Sequence, residues 1–389
     1  MTKKKKFIAI SSVVIIVALT AVYFLTRPPE FNLDKLHIEI AENEYAQLEK
    51  FRENALGIGR LDRSPDDFVA ADFQYNKEAF NGELRLKGDY LDHLKENKWS
   101  FRIKLDNAMD DGLQIFSVQN PASRGYLNSY VYHQILKEEG VLSNEFRFIE
   151  LVVNGDSWGI YCLEEHLTSR MIASQNKPNG VLLKFSDNSF FAVGEGVNTD
   201  GLIKEAKIKV YGDAKKEKSH KKEISFAKGI IKDYQYRIDS TYNNFDAKQT
   251  GLYYALSDLT SGYHAMGWIN IRFYFNFETQ KMEPVGYDAY PKLEWGNPYL
   301  GKHVLTTNLA PFETKMIVYS ALKNEAINAA YLKALERVTQ ANYIENIMAK
   351  HHDQLLFLEA EIQKEYTDYQ YNYNFLIERG KVIRNALNN

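Results

Sequence analysis

The side chains best suited to chemistry in this chain are cations and carboxylates at strand ends and hairpins. Leu84-Arg85-Leu86-Lys87-Gly88 is followed by Lys98-Trp99-Ser100-Phe101-Arg102-Ile103-Lys104, so Lys87, Lys98, Arg102 and Lys104 lie on or near one strand pair. Successive strand residues face opposite ways, which puts Arg102 and Lys104 on one face and Phe101, Ile103 and Leu105 on the other. Such a basic face suits phosphate groups. Solvent-facing strands are often lined with the same residues, and both readings stand here. Glu164 and Glu165 end another strand, where alternation lets only one of them point into the fold. His264 exchanges a proton near neutral pH or serves as a packing residue. Asp288 sits where a further strand gives way to a loop.

The elements that must position these residues are read from pattern. Phe146–Val153 and Trp158–Leu163 flank Asn154-Gly155-Asp156, and Asn-Gly supplies the positive φ angles of a tight antiparallel hairpin. A second hairpin joins Ile269–Asn276 to Lys281–Tyr287. Phe68–Tyr75, Glu83–Lys87 and Trp99–Leu105 alternate as strands, and Val181–Phe185 is a short buried strand. Helical spacing is expected over Leu36–Leu56, Ser123–Glu139, Thr168–Gln175 and Asp246–Leu259. After Pro311 the chain reads as helical: Phe312–Asn324, Ala326–Val338, Tyr343–Tyr366 and Phe375–Leu387. Ala214–Glu223 is a lysine-rich run, either solvated or phosphate-binding.

Composition bounds the function. The 389 residues carry 26 Tyr and 22 Phe, which suits a β-rich core, and the net charge of −3 gives no reason to expect a nucleic-acid partner. The single Cys162 excludes an intrachain disulfide and a cysteine zinc site, and reads as a small buried hydrophobe. Neither GxxxxGK[ST] nor GxGxxG occurs, and HExxH and GxSxG are also missing, so zinc and serine hydrolases have no support. Lys3–Lys6 precede the uncharged run Phe7–Thr26. As a helix that run is about 30 Å long, the thickness of a bilayer core. The lysines place the N-terminus in the cytoplasm and the main domain outside it, a single-pass signal-anchor being expected over a cleaved signal peptide.

Four segments in order resemble the CotH kinase family, named for spore-coat protein H: Leu84–Gly88 with Lys98–Lys104; Phe116–Tyr132; Val152–Gly159 running into Ile160-Tyr161-Cys162-Leu163-Glu164-Glu165-His166; and Asn270–Tyr274 with Glu283–Asp288. The resemblance spans roughly residues 80–300. It implies an α+β, atypical kinase-like domain with antiparallel hairpins over residues 30–310. C-terminal helices over 311–389 would pack on that domain, and a transmembrane anchor and tether over 1–29 would precede it. It further implies ATP with Mg2+ or Mn2+. Lys87, Lys98, Arg102, Lys104 and Glu165 would serve the nucleotide, with Glu164 as the solvent-facing neighbour of Glu165, and Asn270 and Asp288 the metal. Where many members carry Asp-x-Asp, this chain has Asp288-Ala289-Tyr290. The family's catalytic aspartate is not evident, which leaves His264, or Asp258 further back, as the candidate base. The expected activity is phosphoryl transfer from the nucleotide to a protein or envelope acceptor. A kinase-like domain that binds without catalysis is the alternative.

Overall fold

Alternation of apolar and polar residues builds most of a closed barrel. The strands are β1 (Asp34–Glu39), β2 (Val69–Tyr75), β3 (Glu78–Leu86), β4 (Phe101–Leu105), β5 (Ile115–Gln119), β6 (Phe146–Val153) and β7 (Asp156–Glu165). In this computed structural model, which describes residues 31–62, 64–88, 91–94, 97–186, 199–289 and 317–388, they close in the order β1-β2-β3-β4-β5-β7-β6. Closure comes from β1, which is antiparallel to β2 and parallel to β6. Every other residue of each strand points inward, so Leu36, Ile38, Phe73, Leu84, Phe101, Ile103, Phe116, Val118, Ile149 and Leu163 form one core. A closed barrel has no free edge to protect.

The helices are α1 (Glu42–Ile58), α2 (Leu127–Glu138), α3 (Ser169–Ala173), α4 (Thr199–Glu205), α5 (Lys221–Gln235), α6 (Ala247–Leu259), α7 (Glu325–Val338), α8 (Ala341–Lys350), α9 (His352–Gln363) and α10 (Asn374–Asn388). A second sheet, β11-β10-β8-β9, is built from β8 (Gly180–Phe185), β9 (Ile208–Tyr211), β10 (Arg272–Asn276) and β11 (Lys281–Val285). It meets the α2–β6 connection through a bridge between Ser143 and Gly286. α2 covers the outer face of β6, stacking His133 on Phe146 with ring centroids 5.3 Å apart. Most of β6, and β7 from Ile160 to Glu165, are buried on both faces.

Several expectations are corrected. Leu36–Leu56 is not one helix. Leu36, Ile38 and Ile40 alternate into the barrel core as a strand, and the helix begins only at Glu42. Ser123–Glu139 starts as a short 3-10 turn, Pro121–Arg124, because Gly125 and Tyr126 take φ of 63° and 52° and break the helical path before α2. Tyr343–Tyr366 divides at His351 into α8 and α9. Phe312–Asn324 lies partly outside the described residues, and its described part, Ile317–Lys323, is a 3-10 turn. The lysine-rich run forms 3-10 turns leading into α5, and Lys215, Lys216, Lys218, Lys221 and Lys222 are exposed. The apolar run Phe7–Thr26 and the boundary at 310/311 lie outside the described residues. Among the described residues no helix is long and apolar enough to cross a membrane.

Candidate functional site

The site is assembled on the outer face of β3, β4, β5 and β7, where it meets the 3-10 turn before α2 and the loop after β11. Strand register sets one row across the barrel: Arg102 lies opposite Ser117, and Ser117 opposite Glu164. Leu86, Val118 and Leu163 point inward, so their neighbours Lys87, Gln119 and Glu164 point out. Lys87 Nζ donates to Gln119 Oε1 at 2.7 Å, and Gln119 Nε2 donates to Glu164 Oε2 at 2.6 Å.

Arg124 completes the cluster. Its Nε reaches Glu164 Oε2 at 3.1 Å, its NH2 group donates to Gln119 Oε1, and its NH1 group lies 3.2 Å from Asp288 Oδ1. The turn that carries it is fixed by the Asn120 side chain accepting from the Ala122 amide at 3.0 Å, and by Ser129 Oγ donating to the Arg124 carbonyl at 2.6 Å. Asp288 has φ 51°, a left-handed conformation that Asp tolerates better than most residues. His264 closes the far side. Its Nδ1 donates to the Asp288 carbonyl at 2.7 Å and lies 3.6 Å from Asp288 Oδ1, while Asn270 Nδ2 donates to the His264 carbonyl at 3.0 Å.

The charges are poised by burial and by one another. Desolvation brings the Lys87 ammonium down to about 7, with Glu164 opposing the shift and Arg124 and Arg102 adding to it. Burial alone would raise Glu164, but Lys87 and Arg124 outweigh it and hold the carboxyl below its ordinary value. Asp288 likewise resists burial through Arg124, His264 and Lys87, and lies well below the usual carboxylate range. His93, His133 and His166 are all depressed by burial, His133 to about 4, so they are neutral at pH 7.

The structure brings Lys87, Asn270, Asp288 and His264 into this cluster, and Arg102 sits in the same outer-face row as Glu164. It places four other candidates elsewhere. Glu165 faces the opposite side of β7 from Glu164. It pairs with Arg170 at 3.1 Å and accepts from the Glu145 amide at 3.1 Å. Glu164, expected to face solvent, is only 2% exposed because the outer face of β7 is covered. Lys98 binds Glu365 at 2.5 Å and lies over the Tyr161 ring. Lys104 shares Arg102's face but pairs with Glu83 at 2.6 Å above the Phe68 ring. Asp258 is fully buried under α7 and α10, held by Tyr331 Oη at 2.6 Å and Arg379 at 3.3 Å. Gln119 and Arg124 were missed. The only signal for them was an arginine inside a Pro-Ala-Ser-Arg-Gly turn, where a solvated cation would need no such fixing.

The donor chemistry for a divalent cation is partial. Glu164 Oε1 and Asp288 Oδ1 are both buried, and Asp288 Oδ1 is held in the ion pair with Arg124 at 3.2 Å. Among the described residues no three His, Cys, Asp or Glu side chains converge as a metal cage. Mg2+ is commonly held by one or two carboxylates together with substrate phosphates, so these two oxygens fit a cation that arrives with a nucleotide rather than a standing metal centre. Tyr290, where a second aspartate is common, lies outside the described residues. A cavity of about 730 Å³ lined by Asp239, Tyr242, Asp246, Lys281, Lys323 and Glu325 contains none of the cluster residues.

Comparison with known proteins bears on what this cluster belongs to. No curated protein matches the chain. The family model described as CotH kinase protein matches residues 84–383, from the strand before Lys87 to the last helix, and so takes in every residue of the cluster. Since that match covers well over half of the sequence, the chain belongs to the CotH kinase family.

Proposed function

We propose that this protein is a membrane-anchored phosphotransferase that moves a phosphoryl group from ATP, carried with Mg2+ or Mn2+, to a protein or envelope acceptor. One observation carries the reading. A lysine, an arginine and two buried carboxylates are knit into one network at the junction of the barrel and the loop after β11. Phosphoryl transfer asks the protein mainly to position groups and to balance charge, and this network is equipped for both. Lys87 and Arg102 would hold phosphate oxygens. Asp288 and Glu164 would hold the cation, with the amide of Asn270 beside them, and the bound cation would neutralise charge on the transferring group. His264, fixed by Asp288 and Asn270, is the group placed to take the acceptor's proton. Glu164 takes the role expected of Glu165.

The Phe7–Thr26 run would hold the domain at a membrane, with Lys3–Lys6 cytoplasmic and the catalytic part extracytoplasmic. A second reading, a kinase-like binding protein that no longer catalyses, is favoured by the placement of Asp258, which is fully buried in a structural ion pair and so withdrawn from the role of base. Label transfer from ATP, measured on the full-length protein in detergent with and without Mg2+, separates the two. Metal-dependent transfer lost in Asp288→Ala supports the enzyme. Nucleotide binding without transfer supports the binding protein, and no nucleotide binding at millimolar ATP defeats the first reading.

A further inference from the structure

Arg124 stands where two cations would compete. Its guanidinium bridges Glu164 Oε2 and Asp288 Oδ1, and the residue is only 5% exposed. It cannot escape by losing its proton, because guanidinium stays charged at any ordinary pH. A divalent ion seeking Asp288 Oδ1 meets a fixed positive charge 3.2 Å from that same atom. The two repel strongly in a site from which water is largely excluded. The conflict is relieved only if an anion enters with the metal and takes over the guanidinium. A nucleotide phosphate does this, and arginine's fork suits phosphate oxygens as well as it suits carboxylates.

We infer that Arg124 is an exchangeable counterion: it holds Asp288 in the empty protein and passes to a phosphate of the nucleotide when the metal–nucleotide complex seats. The inference rests on the phosphotransferase reading and adds to it an order of binding. Free metal is kept off, and metal with nucleotide is admitted. The geometry supports a limited movement of the side chain alone. The backbone at Arg124 is fixed by the Asn120 cap and the Ser129 hydroxyl, so the exchange is a turn of the side chain in which the guanidinium gives up Asp288.

The test is Mn2+ binding followed by electron paramagnetic resonance on the full-length protein, with Mn2+ alone and with Mn2+ plus a non-hydrolysable ATP analogue. For the wild type, Mn2+ alone binds at least about tenfold more weakly than it does in the presence of the analogue. In Arg124→Gln the order inverts: Mn2+ alone binds about tenfold more tightly than to wild type, and the analogue loses about tenfold. A variant that merely damaged the site would weaken both, so Arg124→Gln binding Mn2+ alone no more tightly than wild type overturns the inference. Should Arg124→Gln not fold, Arg124→Met removes the charge but keeps the apolar stem. It must show the same inversion at a few-fold level, and weaker binding of both ligands overturns the inference again. If the wild type binds no analogue but Arg124→Gln gains Mn2+ affinity, the phosphotransferase reading fails while the counterion role on Asp288 survives without its phosphate partner. If the wild type binds the analogue and Arg124→Gln gains nothing, the inference fails and the reading stands.

Discussion

Lys87 and Glu164 are joined through one amide. Gln119 Oε1 accepts from the lysine at 2.7 Å while its Nε2 donates to the glutamate at 2.6 Å. The amide can serve both because its two ends have opposite hydrogen-bonding character, and this fixes which way round it lies. Exchanging the two adjacent glutamates should therefore have unequal effects. Glu164→Gln is expected to lower label transfer by about 10²-fold, as when a positioned charge is removed from an active site. Glu165→Gln should keep transfer within about twofold yet cost about 1–2 kcal/mol of stability by weakening the buried side of the Arg170 pairing, which Asp111 still holds at 3.3 Å. Transfer assays paired with urea unfolding on both variants check this, and equal losses of transfer would contradict the assignment.

Lys87 makes the site sensitive to alkaline pH. Its folded value is lowered by burial to about 7, against about 10.4 in an unfolded chain. The unfolded state thus binds more protons between those values, and stability rises with pH across roughly 7–10 through this group. Lys87→Met should flatten that rise. A phosphate bound beside Lys87 would restore its charge, so nucleotide binding at pH 8 should take up close to one proton. Calorimetry in two buffers of different ionisation heat measures the uptake, and no uptake would show that Lys87 does not meet the phosphate.

Acid acts through the buried histidines. His93, His133 and His166 lie below the ordinary histidine value because burial disfavours the charged ring, and His133 falls to about 4. Their contribution is fully present above about pH 6.5 and is lost as pH falls toward the folded values. Unfolding free energy should therefore decline between about pH 6.5 and 4, before most carboxylates titrate. His133→Gln should make the decline shallower, as urea titrations at three pH values would show. An unchanged slope would mean that His133 is not held neutral.

Gly251 reports on how tightly α6 meets α7. A Cβ there would lie 2.5 Å from the Tyr331 backbone nitrogen and 2.7 Å from Ala330, contacts that only backbone movement relieves. Gly251→Ala should destabilise by about 1–3 kcal/mol although alanine favours helix. A thermal melt showing stabilisation would mean that the two helices can separate at no cost.

Local chemistry was legible in the sequence, while long-range closure was not. Asn154 and Gly155 take φ of 49° and 83°, as the hairpin turn demanded, and β4 alternates as its residues suggested. Cys162 is fully buried. The barrel was invisible because its closing pair joins β1 to β6 in parallel, with Leu36 opposite Leu151. No local pattern marks a partner so distant. β1 itself was absorbed into the helix that follows it, since Leu36 and Ile40 also fit helical spacing. The Glu164 and Glu165 assignment turned on whether a second layer covers β7, which alternation cannot tell. Asp258 looked available for chemistry because its partners, Tyr331 and Arg379, are far along the chain.

Gly159 takes φ 78° on β7, and the space its side chain would fill is occupied by the carboxylate of Glu365. That carboxylate also accepts from the Ile160 amide at 2.5 Å and pairs with Lys98. Next to it, Tyr366 Oη donates to the Asn120 side chain at 2.9 Å, and Tyr369 Oη accepts from the Leu127 amide at 3.2 Å. The two tyrosines thus grip both ends of the turn that carries Arg124. The seat of the guanidinium thus depends on a segment more than 240 positions further along the chain, so a fragment cut before residue 366 would carry Lys87 and Glu164 without the clamp that sets Arg124 between the two carboxylates.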